Sequence, residues 1–491
     1  MKEKLVKAYH HLPSVLKSLV ASGYGYYLRS WRYGPETEVL AQKALERDTW
    51  QPEQWQQWRQ ERLTGLLEHA ATKVPYYRSH WEARRQQGDD ASWQQLENWP
   101  ILTKDALRET PEAFVAEDVD PGSLYKLSTS GTSGKPLTLW RSELTMQTWY
   151  ALFEARWRYW YGVSRHDRWA ILGGQLVTPV ERQAPPFWVW NAGLKQLYLS
   201  TMHISPDHVA DYIEALERYE ITYLWGYASS MHSLAQMALE QGLRAPPLKV
   251  AISNAEALLP YQRETIGEFF GCPVKNTYGM AEAVAEASEC EYGAMHLWAD
   301  AGVVEVFADG EDESVPAGTV GRLICTGLVN KDMPLIRYEV GDRGALAAES
   351  GFESACACGR TLPVLERIEG RTIDNVVTAD GRKIFWLNPV FYNLPIREGQ
   401  VIQEALGQFH IKIIPADGYE PKHSNDIVQR LKERVGEAEV EVDVVDDIPR
   451  SANGKFRAVI NKVEGAGGKV DIKIRGANDE ADGQKVAEPS S

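Results

Sequence analysis

The sequence has only five cysteines in 491 residues, too few for the disulfide framework of a small secreted domain. It has no apolar run close to the roughly 20 residues that a membrane-spanning helix needs, so no transmembrane segment is predicted. Positive charge is also in deficit: 53 lysines and arginines face 68 aspartates and glutamates, giving a net charge of −15. This balance opposes binding to the phosphates of nucleic acids. We therefore expect a cytoplasmic protein without a nucleic-acid partner.

The length predicts at least two domains, because ordinary domains have roughly 150 residues. Residues 1–100 carry apolar residues at helical spacing and are predicted to form a helical leader of a large domain. Residues 101–370 are predicted to complete that domain, residues 371–464 to form a small α+β domain, and residues 465–491 to be a disordered tail. An aromatic cluster of the leader is predicted to pack in the core rather than on a membrane surface: Tyr24, Tyr26, Tyr27 and Trp31.

The middle of the chain alternates strand and helix patterns. A helix is predicted to begin after Ser205, followed by the strand-like ITYLWGY from Ile221, a second helix, the strand LKVAIS, a helix closing at Gly271 and the strand PVKNTYG. This β-α-β-α-β order predicts a parallel sheet in an α/β fold, whose ligands bind beyond the carboxyl ends of the strands. Two polar clusters fall there, at residues 253–256 and 278–282.

The stretch LSTSGTSGKPLTLW, residues 127–140, is dense in Ser, Thr and Gly. A tight loop with many free backbone N–H groups binds anions, phosphate above all. It is not a P-loop, because Gly131 and Gly134 are only three apart and Pro136 occupies the place of the metal-binding hydroxyl. Its order instead resembles the phosphate loop of the adenylate-forming superfamily, the acyl-CoA synthetases and their relatives, although alone it also fits a surface turn. The phosphate-binding residues that this resemblance implies are Ser128, Thr129, Ser130, Gly131, Thr132, Ser133, Gly134 and Lys135.

Further segments resemble the same superfamily, in the same order along the chain. NTYGMAEA resembles the segment whose tyrosine, Tyr278, faces the adenylate and whose carboxylate, Glu282, reaches Mg²⁺. MPLIRYEVGDRG resembles the block whose aspartate, Asp342, accepts hydrogen bonds from the ribose hydroxyls. PRSANGKFRAVI resembles the C-terminal loop that delivers the catalytic lysine, here Lys455. The nucleotide-binding residues implied are Asn254, Ala255, Glu256, Tyr278, Gly279, Met280 and Asp342.

RIEGRTIDN resembles the hinge between the two domains of these enzymes, with Arg371 and Asp374 at the pivot and Arg371 also catalytic. Such hinges normally carry two consecutive acidic residues, whereas Ile373 precedes Asp374 here. Each segment alone is an ordinary turn, but a chance match of all of them from Ser128 to Lys455 is implausible. The helical leader, NAEALLP and CACGRTLP are similar to the phenylacetate-CoA ligase and CapK branch, which implies a large α/β domain with a small mobile α+β domain.

The resemblance implies activation of a small carboxylic acid with ATP and Mg²⁺ to acyl-AMP, with pyrophosphate released, and transfer to a thiol, expected to be coenzyme A. Two anions must meet in the first step, so a mobile cation is needed. One alternative passes the acyl group to a carrier-protein thiol, an amine or a sugar hydroxyl. Another is a nucleotide-binding protein without turnover, against which Glu282, Asp342, Arg371 and Lys455 together argue. The acid stays unidentified, and a homodimer stays open.

The acyl pocket is predicted at the ends of the inferred strands, near Trp225, Tyr227 and Ser253. Aromatic side chains there would stack on an aryl acid, or would simply belong to the core, and the sequence favours neither.

A separate set of residues could hold a structural zinc ion. Cys290, His296, Cys356 and Cys358 supply the four ligands of a tetrahedral Zn²⁺ site, although their spacing is unusual for zinc. The alternative is four unconnected side chains. Some phenylacetate-ligase-like proteins have a comparable Cys/His set, and this resemblance favours zinc away from the reaction.

Overall fold

The computed structural model describes residue 9 and residues 11–128, 137–175, 177–179, 181–348, 352, 355–371, 375–378, 383–384, 387–391, 394–451 and 456–463. Most of the predicted phosphate loop (129–136), the hinge residue Asp374, the predicted catalytic Lys455 and the predicted tail lie outside the described residues.

The helices of the described residues fall mostly in the first 270 positions. Four of them have proline in the first turn, where its missing N–H leaves no helical hydrogen bond unmade. Short 3₁₀ helices span Leu96–Asn98, Pro111–Phe114, Pro121–Ser123, Tyr159–Tyr161 and Asn388–Phe391. The α-helices are α1 (Ser14–Arg32), α2 (Thr37–Arg47), α3 (Pro52–Lys73), α4 (Pro75–Gln86), α5 (Lys104–Glu109), α6 (Glu143–Trp157), α7 (Val209–Arg218), α8 (Ala228–Glu240), α9 (Pro260–Phe270) and α10 (Pro421–Val435).

The strands form a central sheet, a second sheet, a sheet near the C-terminal end and two short hairpins. They are β1 (Tyr125–Ser128), β2 (Thr138–Arg141), β3 (Trp169–Gly173), β4 (Trp188–Asn191), β5 (Gln196–Ser200), β6 (Tyr223–Gly226), β7 (Val250–Ser253), β8 (Val274–Tyr278), β9 (Ala287–Glu289), β10 (Met295–Leu297), β11 (Gly302–Phe307), β12 (Gly321–Gly327), β13 (Tyr338–Leu346), β14 (Leu365–Arg371), β15 (Val376–Val377), β16 (Lys383–Ile384), β17 (Ile396–Ala405), β18 (Gln408–Pro415), β19 (Glu439–Val444) and β20 (Val459–Asn461).

The central sheet has the strand order β10-β9-β8-β7-β6-β3-β5-β4. Its middle strands β5, β3, β6, β7 and β8 are parallel, and β4, β9 and β10 are antiparallel to their neighbours. The predicted β-α-β-α-β unit is confirmed as β6-α8-β7-α9-β8, with α9 ending at Gly271 at a φ of 61°. The predicted helix start is wrong by three residues, because α7 begins at Val209 and residues 205–208 form a turn that leads into it.

The second sheet is antiparallel, in the order β11-β12-β13-β14. The sheet near the C-terminal end has the order β19-β18-β17-β20 and mixes one antiparallel pair with two parallel pairs. Its inner face and α10 share a core that includes Phe409, Ile411, Ile413, Ile427 and Leu431. The predicted fold class, a large α/β domain followed by a smaller α+β domain, is confirmed.

The leader helices are packed into the large domain through residues far away in the sequence. Leu66, Leu67 and Tyr77 share a core with Leu335 and with Tyr338, the first residue of β13 in the second sheet. Trp55 is fully buried and stacks on Phe352 with ring centroids 5.2 Å apart. The leader is therefore held by chain that lies some 250 to 300 positions later.

Helix α1 departs from the core packing predicted for its aromatic residues. Tyr24, Tyr26 and Tyr27 are about half exposed, and Trp31 is partly buried against Tyr125. The prediction is wrong because α1 buries the narrow side formed by Gly25 and Leu28. A Cβ on Gly193 would lie 2.4 Å from the backbone nitrogen of Tyr26, so this contact is a close approach of two backbones. Among the described helices, none has the length and apolar character to cross a bilayer.

Candidate active site at the carboxyl ends of the central strands

The carboxyl ends of β6, β7 and β8 lie side by side, as expected for neighbouring parallel strands. Gly226 pairs with Ser253, and Ser253 pairs with Asn276, two residues before the end of β8. A Cβ on Gly226 would lie 2.4 Å from the carbonyl oxygen of Leu172, so only glycine allows this approach. After β7, Ala255 has a φ of 60°, a conformation that costs energy in a residue with a side chain and is concentrated at functional sites.

Several polar atoms at this edge are buried without a hydrogen-bond partner among the described residues. They are Ser229 Oγ, Ser253 Oγ, Asn254 Oδ1 and Asn276 Oδ1. Folded proteins satisfy nearly all such atoms, because burying an unpaired polar group costs about 1–3 kcal/mol. Four of them around one sheet edge indicate a site for a polar ligand, at the place where Ser253 and Asn254 were predicted to contribute.

Two tyrosines connect the predicted nucleotide residues of β8 with the second sheet. Tyr278 donates its hydroxyl to Asp342 Oδ2 at 2.8 Å, and Tyr338 donates to Glu282 Oε1 at 3.0 Å. Burial, followed by the neighbouring carboxylate, raises the pKa of both phenols well above the ordinary value, so both stay protonated donors. The structure therefore brings Tyr278, Asp342 and Glu282 together, whereas Met280 turns into the core beneath them.

The predicted acyl-pocket residue Trp225 belongs to a wall of aromatic rings under the β8 loop. It stacks on Phe153 with centroids 5.0 Å apart and meets Trp157 at 5.4 Å. A Cβ on Gly279 would lie 2.8 Å from Cη2 of Trp157, so the loop rests directly on this wall. Tyr227 precedes α8 and is buried, which raises the pKa of its hydroxyl to about 12.

Two charged residues at the same place were missed in the sequence. Arg141, fully enclosed, donates to the carbonyl of Ala281. Glu286 accepts from Trp149 Nε1 at 3.1 Å, its Oε2 has no partner among the described residues, and burial raises its pKa to about 7. The only signal was the spacing of Glu282 and Glu286 in the same segment, and no motif singles out Arg141.

The small domain contacts α8 and the loop after β7 through polar groups. Glu256 Oε2 accepts from the backbone N–H of Ser229, and Glu256 Oε1 accepts from the backbone N–H of Phe456, each at 3.0 Å. Phe456 directly follows the predicted catalytic Lys455. The carboxylate of Glu256, predicted to bind nucleotide, thus joins the large domain to the C-terminal loop.

Two further contacts join the same surfaces. Ser233 Oγ donates to Glu398 Oε1 at 3.2 Å, and Arg450 pairs with the same carboxylate. Arg397 Nη2 lies 2.6 Å from Glu240 Oε1. Between these pairs lies His232, whose pKa is lowered to about 4 by burial and then by the two arginines, so its imidazole is neutral at pH 7.

The remaining predicted site residues are described only in part. Ser128 ends β1 and pairs with Thr138 of β2, so the two ends of the predicted phosphate loop meet in a hairpin. Asp342 pairs with Arg371 across β13 and β14, which brings the backbone of the predicted hinge to the predicted ribose-binding residue. The side chain of Arg371 is not among the described parts.

The predicted zinc ligands converge in space. The ligand atoms of Cys290, His296, Cys356 and Cys358 all lie within 4.8 Å of one another, with Cys290 Sγ 4.0 Å from Cys356 Sγ and Cys358 Sγ 3.4 Å from His296 Nε2. Two thiolates on one tetrahedral zinc ion lie about 3.8 Å apart. His296 Nδ1 lies 3.0 Å from the carbonyl oxygen of Leu362, a hydrogen bond that leaves Nε2 for a metal.

Comparison with known proteins agrees with this layout. The AMP-binding enzyme family matches residues 54–331, and the CapK C-terminal domain matches residues 376–462. Protein CapK of Staphylococcus aureus is 24% identical over 378 residues, 74% of this chain and 80% of that protein. A phenylacetate-coenzyme A ligase of Thermus thermophilus is 24% identical over 469 residues, 87% of this chain and 99% of that protein.

Solved structures show the same fold. A crystal structure of 2-hydroxyisobutyryl-CoA ligase in the postadenylation state has a TM-score of 0.65 at 21% identity, covering 84% of this chain and 91% of that chain. These findings confirm the predicted resemblance to the adenylate-forming superfamily and to its CapK and phenylacetate-CoA ligase branch. Because the family match covers more than half of the residues, the chain belongs to the AMP-binding enzymes.

Proposed function

We propose that this protein activates a carboxylic acid with ATP to an acyl-AMP, releasing pyrophosphate, and then transfers the acyl group to the thiol of coenzyme A. The observation that carries the proposal is the set of unpartnered polar atoms at the carboxyl ends of β6, β7 and β8, next to the Tyr278–Asp342 hydrogen bond. Membership of the AMP-binding enzymes and likeness to a phenylacetate-coenzyme A ligase support the same reaction.

Each predicted site residue has a role in this proposal. Asp342 binds the ribose, Tyr278 faces the adenylate, and the loop at residues 128–135 holds the phosphates. Glu282 fits Mg²⁺, because Tyr338 occupies only Oε1 of its carboxylate and magnesium prefers carboxylate oxygens. Magnesium bound with ATP would neutralise phosphate charge. The aromatic wall of Phe153, Trp157 and Trp225 supports an aryl acid as the first substrate to test.

Lys455 supplies the cation that brings two anions together in the first step. Its neighbour Phe456 donates its backbone N–H to Glu256 near the sheet edge, a contact that supports this role for Lys455. A cation on a mobile domain acts in adenylation and leaves before the thiol attacks.

The test compares the two half-reactions in Lys455→Ala. Acid-dependent exchange of labelled pyrophosphate into ATP, measured across a panel of aryl and alkyl acids, is expected to fall about 10²–10³-fold, whereas acyl transfer from synthetic acyl-AMP persists. Lys462→Ala is the matched control, because this lysine of the same domain pairs with Glu404 at the surface. No exchange in the wild type with any acid would reject the adenylation. Exchange without a coenzyme A thioester would reject that acceptor in favour of another nucleophile.

We further propose one structural zinc ion per chain, bound by Cys290, His296, Cys356 and Cys358. Convergence of three sulfurs and one imidazole nitrogen within 4.8 Å supports it, and such sites contribute folding free energy. Metal analysis of protein purified without added metal should find one zinc per chain, and Cys356→Ser should lose it and lower the melting temperature. Cys272→Ser, a buried thiol outside the cluster, should keep the metal. Metal-free wild-type protein of full stability would contradict the proposal.

A further inference from the structure

A small cavity with a cationic lining lies at the amino-end edge of the central sheet, whereas the proposed active site lies at the carboxyl-end edge. Its volume is about 30 Å³, and Trp169 and Lys195 place it at the amino ends of β3 and β5. The proposed active site lies at the carboxyl ends of the neighbouring strands. The other wall is the last part of α1, which contributes Arg29 and Arg32.

The lining carries an excess of positive charge. It contains Arg29, Arg32, Arg158, Arg165 and Lys195, and none of the described lining residues is acidic. The pKa of His166, also in the lining, is lowered first by burial and then by the charge of Arg165, with Lys195 and Arg29 adding to it.

Two of these cations already have carboxylate partners behind the cavity. Arg158 Nη1 lies 2.7 Å from Glu154 Oε2, and Arg165 Nη1 lies 3.7 Å from Glu154 Oε1 and 3.6 Å from Glu38 Oε2. These pairs fix the two guanidinium groups in place without neutralising the whole lining.

Arg32 is different, since it is only partly exposed and has no ion-pair partner among the described residues. Among the described residues it forms no ion pair, and its Nε is buried without a hydrogen-bond partner. Its neighbours are phenols, with its guanidinium carbon 4.7 Å from the ring centre of Tyr150. Partial burial of a cation without a counter-charge costs free energy, so buried guanidinium atoms are normally paired. An anion in the cavity would supply the missing partner.

The size of the cavity limits the anion. A water molecule needs about 10–15 Å³ of such a cavity, so there is room for two or three oxygens of a phosphate group that enters from the mouth, and not for a nucleoside. Arginine and lysine together are the usual ligands of phosphate.

We propose that this cavity is a phosphate-binding site, separate from the ATP site, with Arg32 as its central ligand and Arg29 and Lys195 at its mouth. Two sources share this chemistry: a small phosphorylated solute and the headgroup of an anionic lipid. The lipid headgroup is considered because α1, which supplies Arg29 and Arg32, also exposes the apolar side chains of Leu19, Val20 and Tyr27.

The test measures binding of inorganic phosphate by calorimetry to the wild type, Arg32→Gln and Arg29→Gln. Each substitution should weaken one phosphate site about tenfold or more, as expected for loss of a charge-assisted contact. Arg244→Gln, an exposed arginine far from the cavity in sequence, is the matched control and should bind like the wild type. If Arg32→Gln does not fold, Arg29→Gln decides, because Arg29 is exposed.

Vesicles distinguish the sources. Flotation with phosphatidic acid vesicles that is lost in Arg29→Gln identifies a lipid headgroup, and calorimetric binding without flotation identifies a soluble phosphate. Phosphatidylcholine vesicles are the control. If both cavity variants bind phosphate as tightly as the wild type, the proposal is overturned. This outcome does not depend on adenylation activity.

Discussion

The large domain meets its two flanking parts through contacts of opposite character. Towards the leader, Arg156 binds Asp48 at 2.8 Å and Asp300 at 2.5 Å, and the three side chains are 0%, 4% and 2% exposed. Towards the small domain, the Arg397–Glu240 pair is about 30% exposed on both sides. The first contact is closed to water and the second is open to it.

This difference in exposure determines the free-energy cost of separating each flanking part from the large domain. Breaking a buried ion pair leaves a charge without solvent or partner, typically at 3–5 kcal/mol. An exposed pair exchanges its partner for water at about 0–1 kcal/mol. The comparison therefore indicates that the leader is a permanent part of the large domain, whereas the Arg397–Glu240 pair of the small domain can be released at little cost.

The largest effect is expected for Arg156→Met, which leaves Asp48 and Asp300 facing each other without their common cation. The free energy of unfolding should fall by about 3–5 kcal/mol, measured by urea denaturation. Arg168→Met, which removes the exposed pair with Glu220, is the control and should cost under about 1 kcal/mol. Equal effects of the two substitutions on unfolding free energy would contradict the claim that the buried ion pair contributes more than the exposed one.

The next effect concerns Glu286, a buried acid whose Oε2 has no partner among the described residues, unlike the two carboxylates held by Arg156. Its pKa of about 7 lies above the ordinary 4.5, so the folded state binds this proton more tightly than the unfolded state. The resulting stability is present below pH 4.5 and is lost as pH rises to about 7, up to about 3 kcal/mol. Glu286→Gln should remove this decline in unfolding free energy between pH 5 and 7.5. A slope identical to that of the wild type would show that Glu286 does not titrate there.

A third substitution tests whether the contact between Glu256 and the small domain is needed for catalysis. Glu256→Ala frees the N–H groups of Ser229 and Phe456, so the residue that follows the predicted catalytic lysine loses its contact with the large domain. Pyrophosphate exchange should fall about 10–100-fold, since small misplacements of a catalytic group cost that much. Acyl transfer from synthetic acyl-AMP should stay at the wild-type rate, and Glu256→Gln, which keeps one acceptor, should be intermediate. Loss of both half-reactions together would indicate a structural role instead.

The smallest effect is expected for Arg397→Ala at the edge of the same contact. Because this pair is exposed, its loss should change unfolding free energy by under about 0.5 kcal/mol and exchange by about twofold. A tenfold loss of exchange would mean that this pair, rather than Glu256, holds the small domain.

Local sequence patterns predicted the elements that local chemistry determines. Gly271 ends α9 because glycine accepts a positive φ, and the alternation of Phe409, Ile411 and Ile413 places them in the core of the small domain. The start of α7 was missed by three residues, since the turn at 205–208 also satisfies the first carbonyl.

The features that the sequence did not predict depend on contacts between residues that are far apart in the chain. Glu398 lies in none of the family-like segments, and its contact with Ser233 follows from how two domains dock. Tyr24, Tyr26 and Tyr27 are exposed because the leader finds its partners through Gly25 and Leu28. Family segments located Tyr278, Asp342 and Glu282, which the structure brings together, but their roles in binding remain predictions.

The packing of the leader has a consequence for the order of events during synthesis. Thr361 donates to the carbonyls of Asp48 and Trp50, more than 300 residues earlier in the chain. At about 5–20 residues per second, a ribosome makes those 300 residues in roughly 15–60 s. Throughout that time α2 and α3 have emerged without the surface that covers Trp55, so the first part of the protein to be made is among the last to be enclosed.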